Sequence, residues 1–296
     1  MVDTTVAGAG SAARQAAERS GVRVMLAEDR ARQESVRAIF DLVWPADEGT
    51  QVTSNLLRAL IHAGAYASLA VDDASGDPVG AALGFPGRDA GVPGGVFLHS
   101  HMAAVREDLR DRRIGTALKL HQRWWAMDQG IPVVSWTFDP IVRRNARLNI
   151  IRLGVEVRDY HPDFYGVMTD AINAGDRSDR LVAWWSVGSE RAAIAAEGGL
   201  APVAAGRLRE LGARDLVAVG PTDAPVIGAP PSAGETVIVA LPEDVVALRR
   251  SAPDAALAWR MAVREAFASA YAAGLRVETV TDAGSYVLAP AGEESA

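Results

Sequence analysis

Cysteine is missing from all 296 residues, so disulfides, thiolate metal sites and cysteine nucleophiles are excluded, and a reducing compartment fits. Long apolar runs are missing too. No uncharged stretch approaches the ~20 residues that a membrane-spanning helix needs, and the first residues lack a basic start followed by an apolar segment. The expectation is a soluble, cytoplasmic protein that does not engage a membrane. Gly-Lys-Ser/Thr occurs nowhere, which disfavours the phosphate loop of nucleotide-triphosphate hydrolases. Positive charge is not in excess either: the formal net charge of -7 argues against nonspecific binding to nucleic acid or to an anionic surface. Any basic site must therefore be local.

What is present is enough apolar material for a real interior. Hydrophobic residues make up 49% of the chain and charged residues 23%, a globular balance that suggests one large or two modest domains. The first twenty residues, rich in Ala, Gly and Ser, contain "GAGSAA". This fits the Gly-x-Gly-x-x-Ala form of a dinucleotide fingerprint, with Glu28 where a ribose-binding acid is wanted. Only seven residues precede Gly8, however, and they hold no apolar run for the buried strand that would carry such a loop. Residues 1–20 are expected to be a dispensable flexible tail or short helix. A Rossmann-type oxidoreductase stands as the alternative reading of that segment.

From Val22 the pattern is regular. "VRVMLA" alternates as a strand, and "ESVRAIFDLVW" and "NLLRALIHAGA" have helical spacing. "YASLAVDD" and "VGAALGF" are strands joined by the turn "ASGDP", and "GGVFLHSHMAAV" is a longer strand. Residues 115–129 predict a helix stopped at Gly130, with Pro132 beyond it. "VVSWTF" is a strand, after which Asp139 and Pro140 predict the start of a helix that runs to about Leu153. "VEVRDY" and "LVAWWSV" complete a mixed α/β domain over residues 21–187. Beyond Gly188 the composition shifts to Ala, Gly and Pro, and residues 188–296 predict a C-terminal α/β extension. In it Trp259, Val263, Phe267 and Tyr271 form a core stripe, and "LRVETV" with "SYVLA" a closing hairpin.

One stretch carries chemistry. In "VREDLRDRRIGTAL", Gly115 and Thr116 stand at a helix start, Ala117 is small, and Arg106, Arg110, Arg112 and Arg113 add charge. A helix start offers unpaired N–H groups and the positive end of the dipole, and a glycine there admits a diphosphate to the main chain. Glu107, Asp108 and Asp111 are interleaved, so the residues alone leave two readings even: a phosphate site, or a solvated basic run at a helix entry.

This stretch resembles the acyl-CoA pyrophosphate loop of the GNAT superfamily of N-acyltransferases, usually Arg/Gln-x-x-Gly-x-Gly/Ala. Either Arg110 leads with Gly115 as the second glycine and Arg113 in place of the first, or Arg112 leads and Ala117 closes the pattern. The order of elements from Val22 to about Val187, including "RLGVEV", is similar to that family's core: a mixed central sheet flanked by helices. The resemblance implies a cleft between "FLHSHMAAV" and "VVSWTF", where pantetheine hydrogen-bonds the main chain near Ala103 and Val105. It also implies acyl-CoA as co-substrate, with acetyl or succinyl as the acyl group, and the amine of a small molecule such as an amino acid as acceptor. A homodimer is compatible with it. The tyrosine that often protonates the family's leaving thiolate has Ile150 at its position here, and an asparagine seven residues earlier is replaced by Arg143.

Substitutes for that acid are Tyr165 and Tyr160, and Asn145 and Asn149 are candidates for cofactor contact or for helix packing. His99 and His101 share a strand face, and His101, nearer to Val105, is the candidate base, with His99 at the substrate. Arg180 is a candidate for a substrate carboxylate, beside an Asp179 expected to neutralise surface charge. No third ligand accompanies the histidines, so no metal is expected. The missing tyrosine keeps open a CoA-binding module with little turnover.

Overall fold

Thr5 starts the first helix. Its side-chain oxygen accepts the N–H of Gly8 at 3.2 Å, and the segment expected as a flexible tail or short helix is helix α1 (Val6–Arg19). Ala9, Gly10, Ala13 and Ala16 are its buried residues, three or four positions apart along one side. They bring α1 close against helix α4 (Ile114–Asp128): a Cβ placed on Gly10 would stand 3.1 Å from Cδ1 of Trp124. The Gly-x-Gly-x-x-Ala string therefore lies inside a helix, not on a strand-to-helix turn, and no strand precedes it among the described residues. That removes the setting a dinucleotide loop needs, and of the two expectations for residues 1–20, tail or short helix, the helix is the one seen. Their removal should cost several kcal/mol through the apolar face of α4 that it bares. The melting temperature should fall by on the order of 10 °C; an unchanged melting temperature would show that α1 adds nothing.

The computed structural model describes residues 2–45, 49–166 and 177–292. Its contacts divide the chain into Met1–Trp136 with Trp184–Gly199, and Thr137–Ala183 with Leu200–Ala296. The composition shift at Gly188 marks the start of an Ala- and Gly-rich stretch, whereas contacts assign residues 137–183 to the unit formed by the C-terminal segment. Both units are mixed α/β, each contributing strands and helices.

In the first unit, β1 (Val22–Leu26), β2 (Tyr66–Asp72), β3 (Pro78–Arg88) and β4 (Val96–Val105) form an antiparallel meander, and β5 (Val133–Phe138) joins β4 in parallel. The turn after β2 follows from Asp72, whose Oδ1 accepts the N–H groups of Ala74 and Ser75 at 3.0 and 2.9 Å. On one face, α2 (Arg30–Val43) and α3 (Ser54–His62) bury Val36, Ile39, Phe40 and Leu57 against Leu69, Leu83 and Ala104. On the other lies α4. A Cβ on Gly80 would meet Ile114 and Leu118 at 3.2 Å, so glycine in β3 is what lets this helix approach.

In the second unit, β6 (Glu156–His161), β11 (Leu275–Val280), β12 (Tyr286–Pro290), β10 (Val237–Val239), β8 (Arg214–Val219) and β9 (Pro225–Ile227) are neighbours in that order. The expected closing hairpin is β11–β12. Helix α9 (Pro253–Ala272) buries Trp259, Val263 and Phe267 as its stripe predicts, and Phe267 touches the rings of Tyr160, Tyr271 and Tyr286. The helix expected from Asp139 instead begins at Arg143, as α5 (Arg143–Ala146), and continues as a π-helical turn over Arg147–Arg152. Asp139 does not cap it. The carboxylate receives Arg260 at 3.2 and 2.9 Å and Arg249 at 2.5 Å.

Candidate functional site

The distinctive backbone of the first unit is β4. It runs against β3 with Leu83 opposite Met102 and Gly84 opposite Ser100, so His101 is an extra residue, a β-bulge. The bulge shifts the phase of the strand. Ser100 faces α4, while His99, His101, Met102 and Ala104 share the α2 face with Phe85, Leu83 and Ala81. Pairing with β5 stops at the same place: among the described residues only Leu98–Val134 and His99–Ser135 are coupled, although β4 continues to Val105. From Ser100 onward, β4 has no ladder partner on its β5 side, which leaves main-chain groups open to an extended ligand.

His99 and His101 stand on one face, as expected, with rings 5.2 and 5.5 Å from Phe85 and 5.9 Å from each other. Burial, then the charges of His101 and Lys119, lower the His99 pKa to about 4, and burial lowers that of His101. Both are neutral imidazoles at pH 7, and His101 is the more exposed.

Beyond Val105 the chain makes a 3-10 turn over Glu107–Arg112 and enters α4 through Arg113, whose φ of 61° is left-handed. No side chain caps α4. Gly115 leaves its start open: a Cβ there would meet only Val105 Cγ2, at 3.9 Å. The arginines divide. Arg106 pairs with Asp108 at 2.9 Å. Arg112 donates to Asp72 at 2.5 Å and to the carbonyls of Ser20 and Gly21, so it ties this turn to β1 and β2. The N–H of Ser75, then Arg112, hold the Asp72 carboxyl at about 2. Arg113 is exposed and makes no ion pair among the described residues, and the side chain of Arg110 lies outside the described atoms. Thr116 is half-buried, Ala117 faces the interior, Ala103 is exposed and Val105 is half-buried.

The reading of the sequence missed the other side of the split. Lys119, one turn past Gly115, is buried beneath β4 and donates to Ser100 Oγ at 2.7 Å and Gln122 Oε1 at 3.2 Å, with Nζ 3.7 Å over the Trp136 ring. Burial lowers its pKa to about 7. A signal was available: Lys119 is the only lysine among thirty basic side chains, the rest being arginine.

The other sequence candidates belong to the second unit. Tyr165 is exposed, its hydroxyl 3.1 Å from Thr137 Oγ1 and its ring 5.3 Å from the Arg180 guanidinium. Tyr160 is committed: its hydroxyl donates to Asp179 at 2.5 Å, and burial together with that carboxylate pushes its pKa far up. Asp179 is fully buried and held by Arg264, so it is no surface neutraliser. Arg180 is nearly buried as well, donating to the Asp179 carbonyl at 2.9 Å and lying 4.0 Å from the Asp139 carboxylate. It is built into the ion-pair network around Asp139. Asn145 is half-buried in α5, and Asn149 and Ile150 are buried in the π-helical turn. No group of three or more acidic or histidine side chains is placed to hold a metal ion among the described residues. No helix among them is long and apolar enough to cross a membrane.

No family model matches the sequence, and no curated protein does. Among solved structures, the chain is similar to aminoglycoside 6'-acetyltransferase type Ii, with 16% identity over 56% of this chain and 97% of that one and a TM-score of 0.42. It is similar to the ribosomal-protein-S18-alanine N-acetyltransferase from Escherichia coli, with 12% identity over 56% and 94% and a TM-score of 0.43. It is also similar to an acetyltransferase of the GNAT family from Streptococcus pneumoniae, with 12% identity over 55% and 98% and a TM-score of 0.44.

Proposed function

We propose that this protein is an acyl-CoA-dependent N-acyltransferase of the GNAT type. The observation that carries this reading is the continuity of β4: bulged at His101, unpaired toward β5 from Ser100, and leading through one turn into an uncapped helix start. Five residue steps along the strand separate Ser100 from Val105, about 17 Å at ~3.3 Å per residue, a length suited to an extended pantetheine arm. The pyrophosphate would then lie on the N–H groups at Gly115 and Thr116, with Arg113 beside it, and the thioester abreast of Ser100. Main-chain groups of β4, at Ala103 and Val105 among others, would hold the arm as an added strand does.

The reaction is direct acyl transfer. A neutral amine attacks the thioester carbon, the C–S bond breaks, and the sulfur leaves with the electron pair. We assign His101 to take the amine proton. Its lowered pKa keeps it unprotonated at neutral pH, so turnover should rise with pH along a limb that lies below the ordinary histidine value of ~6.5. His101→Ala should lower turnover by roughly 100-fold with little change in CoA affinity. Normal turnover in this variant would reassign the role.

The acceptor we propose is a small primary amine such as an amino acid, with acetyl or succinyl as the acyl group. Calorimetric titration with acetyl-CoA and succinyl-CoA, followed by thiol release across a panel of amines, tests the reading. The burial of Ile150 at the position where the family's tyrosine is expected favours one other reading, a module that binds CoA without transfer. Tight binding with no thiol release by any amine would select it.

A further inference from the structure

Lys119 is set apart by composition and by place. In a chain with twenty-nine arginines and one lysine, the one lysine is on the interior face of α4. Its Nζ reaches Ser100 of β4 and the ring of Trp136 of β5. These are the residues immediately after the last paired couple, His99 and Ser135, on each strand. The amine therefore sits at the vertex where the strands part. Its hydrogen-bond and ring partners are a hydroxyl, the Gln122 carbonyl oxygen and the negative face of an indole, each of which favours an ammonium and opposes the burial that lowers its pKa. No carboxylate pairs with it among the described residues. His99 and His101 face the opposite side of the same strand.

We propose that the Lys119 ammonium receives the leaving sulfur of acyl-CoA, stabilising the thiolate and giving it a proton. The inference rests on the acyl-CoA reading above and supplies the acid that Ile150 cannot. The amine nitrogen bonds to the carbonyl carbon, the C–S bond breaks, and the sulfur takes the electron pair and one proton from Nζ. Neutral Lys119 regains a proton from solvent, while the proton lost by the nitrogen leaves through the His101 side. The sum is thioester plus amine giving amide plus thiol. A pKa near 7 matches a thiol, whose ordinary value is ~8.5, closely enough for transfer in either direction.

The test needs no acceptor amine. The thiol of CoA bound to the full-length protein is titrated by the ultraviolet absorbance of its thiolate, with desulfo-CoA as a control for binding. In the wild type the bound thiol should titrate at least one unit below free CoA, a tenfold gain in thiolate at a given pH. In Lys119→Met the shift should vanish while desulfo-CoA binds within about twofold of wild type, and Lys119→Arg, which keeps the charge, should retain part of it. An equal shift in wild type and Lys119→Met would overturn the proposal and leave Lys119 as a wedge between the strands. A gain of one acyl group on Lys119 after incubation with acetyl-CoA, read by intact mass and peptide mapping, would also overturn it, making the amine a nucleophile. If neither CoA nor desulfo-CoA binds the folded wild type, the acyl-CoA reading itself fails, which is a distinct result.

Discussion

Replacing Asp139 by alanine should destabilise the second unit by about 3–5 kcal/mol, a large share of the ~5–15 kcal/mol that holds a typical domain folded. Asp139 is 8% exposed and Arg260 fully buried, and the carboxylate receives both terminal nitrogens of Arg260 and one of Arg249. Truncation leaves two guanidinium groups, one fully buried and one largely so, without the carboxylate they share. Chemical denaturation of the variant should show the loss as a lowered midpoint, and an unchanged midpoint would show that the network is energetically idle. The pH dependence has a definite sign. Burial alone would raise the Asp139 carboxyl, but Arg260 and Arg249 outweigh it and hold the carboxyl below its usual value. Its stabilisation is then fully present above the unfolded carboxylate value of ~4 and is lost as pH falls through the folded one. Asp179, held down by Arg264 and Tyr160 against the same burial, should add to that acid limb. In Asp139→Asn the limb should be shallower.

Gly115→Val should abolish acyl-CoA binding in a protein that stays folded, with affinity reduced roughly 100-fold or more, because the loss falls on contacts to the main chain of a helix start. The space around Gly115 sets the expectation for folding. A Cβ meets only Val105 Cγ2 at 3.9 Å, an ordinary contact, and valine has a better helix propensity than glycine. What valine adds is two methyl groups in front of N–H groups that no side chain caps. Gly115→Ala should lose less, since one carbon shields less of the main chain. Calorimetric affinity beside the melting temperature separates binding from folding. Wild-type affinity in folded Gly115→Val would move the diphosphate elsewhere.

Much of the fold was legible in the sequence, because period and punctuation are local. The alternation of Val22–Leu26, the Asp72 turn, the glycine that ends α4 and the four-residue stripe of α9 each report on neighbours a few positions away. The shared face of His99 and His101 was legible for the same reason. Helix α1 was not, because its buried stripe is alanine and glycine. Such residues pack by letting another helix come close, and that partner, Trp124, is more than a hundred positions away. Among the arginines of the 106–113 run, nothing local distinguishes Arg112, which binds Asp72 forty residues earlier, from the exposed Arg113.

The sequence by itself determined the mixed α/β class, the strand that carries two histidines into a basic helix entry, the local character of any anion site and the exclusion of cysteine chemistry. These follow from residue type and short-range periodicity, which the chain keeps whatever it folds against. Tertiary structure alone decided the rest. The bulge at His101 depends on which β3 residues oppose it, and the split depends on where β5 stops pairing. Asp139 is an ion-pair hub and not a helix cap because Arg249 and Arg260 reach it from more than a hundred residues away. Lys119 is an isolated charge at the vertex of the split because α4 packs under β4 there and, among the described residues, no acid follows it. Each is a long-range pairing, and a charge or backbone group takes its energy from the partner that meets it and from the water that the meeting excludes.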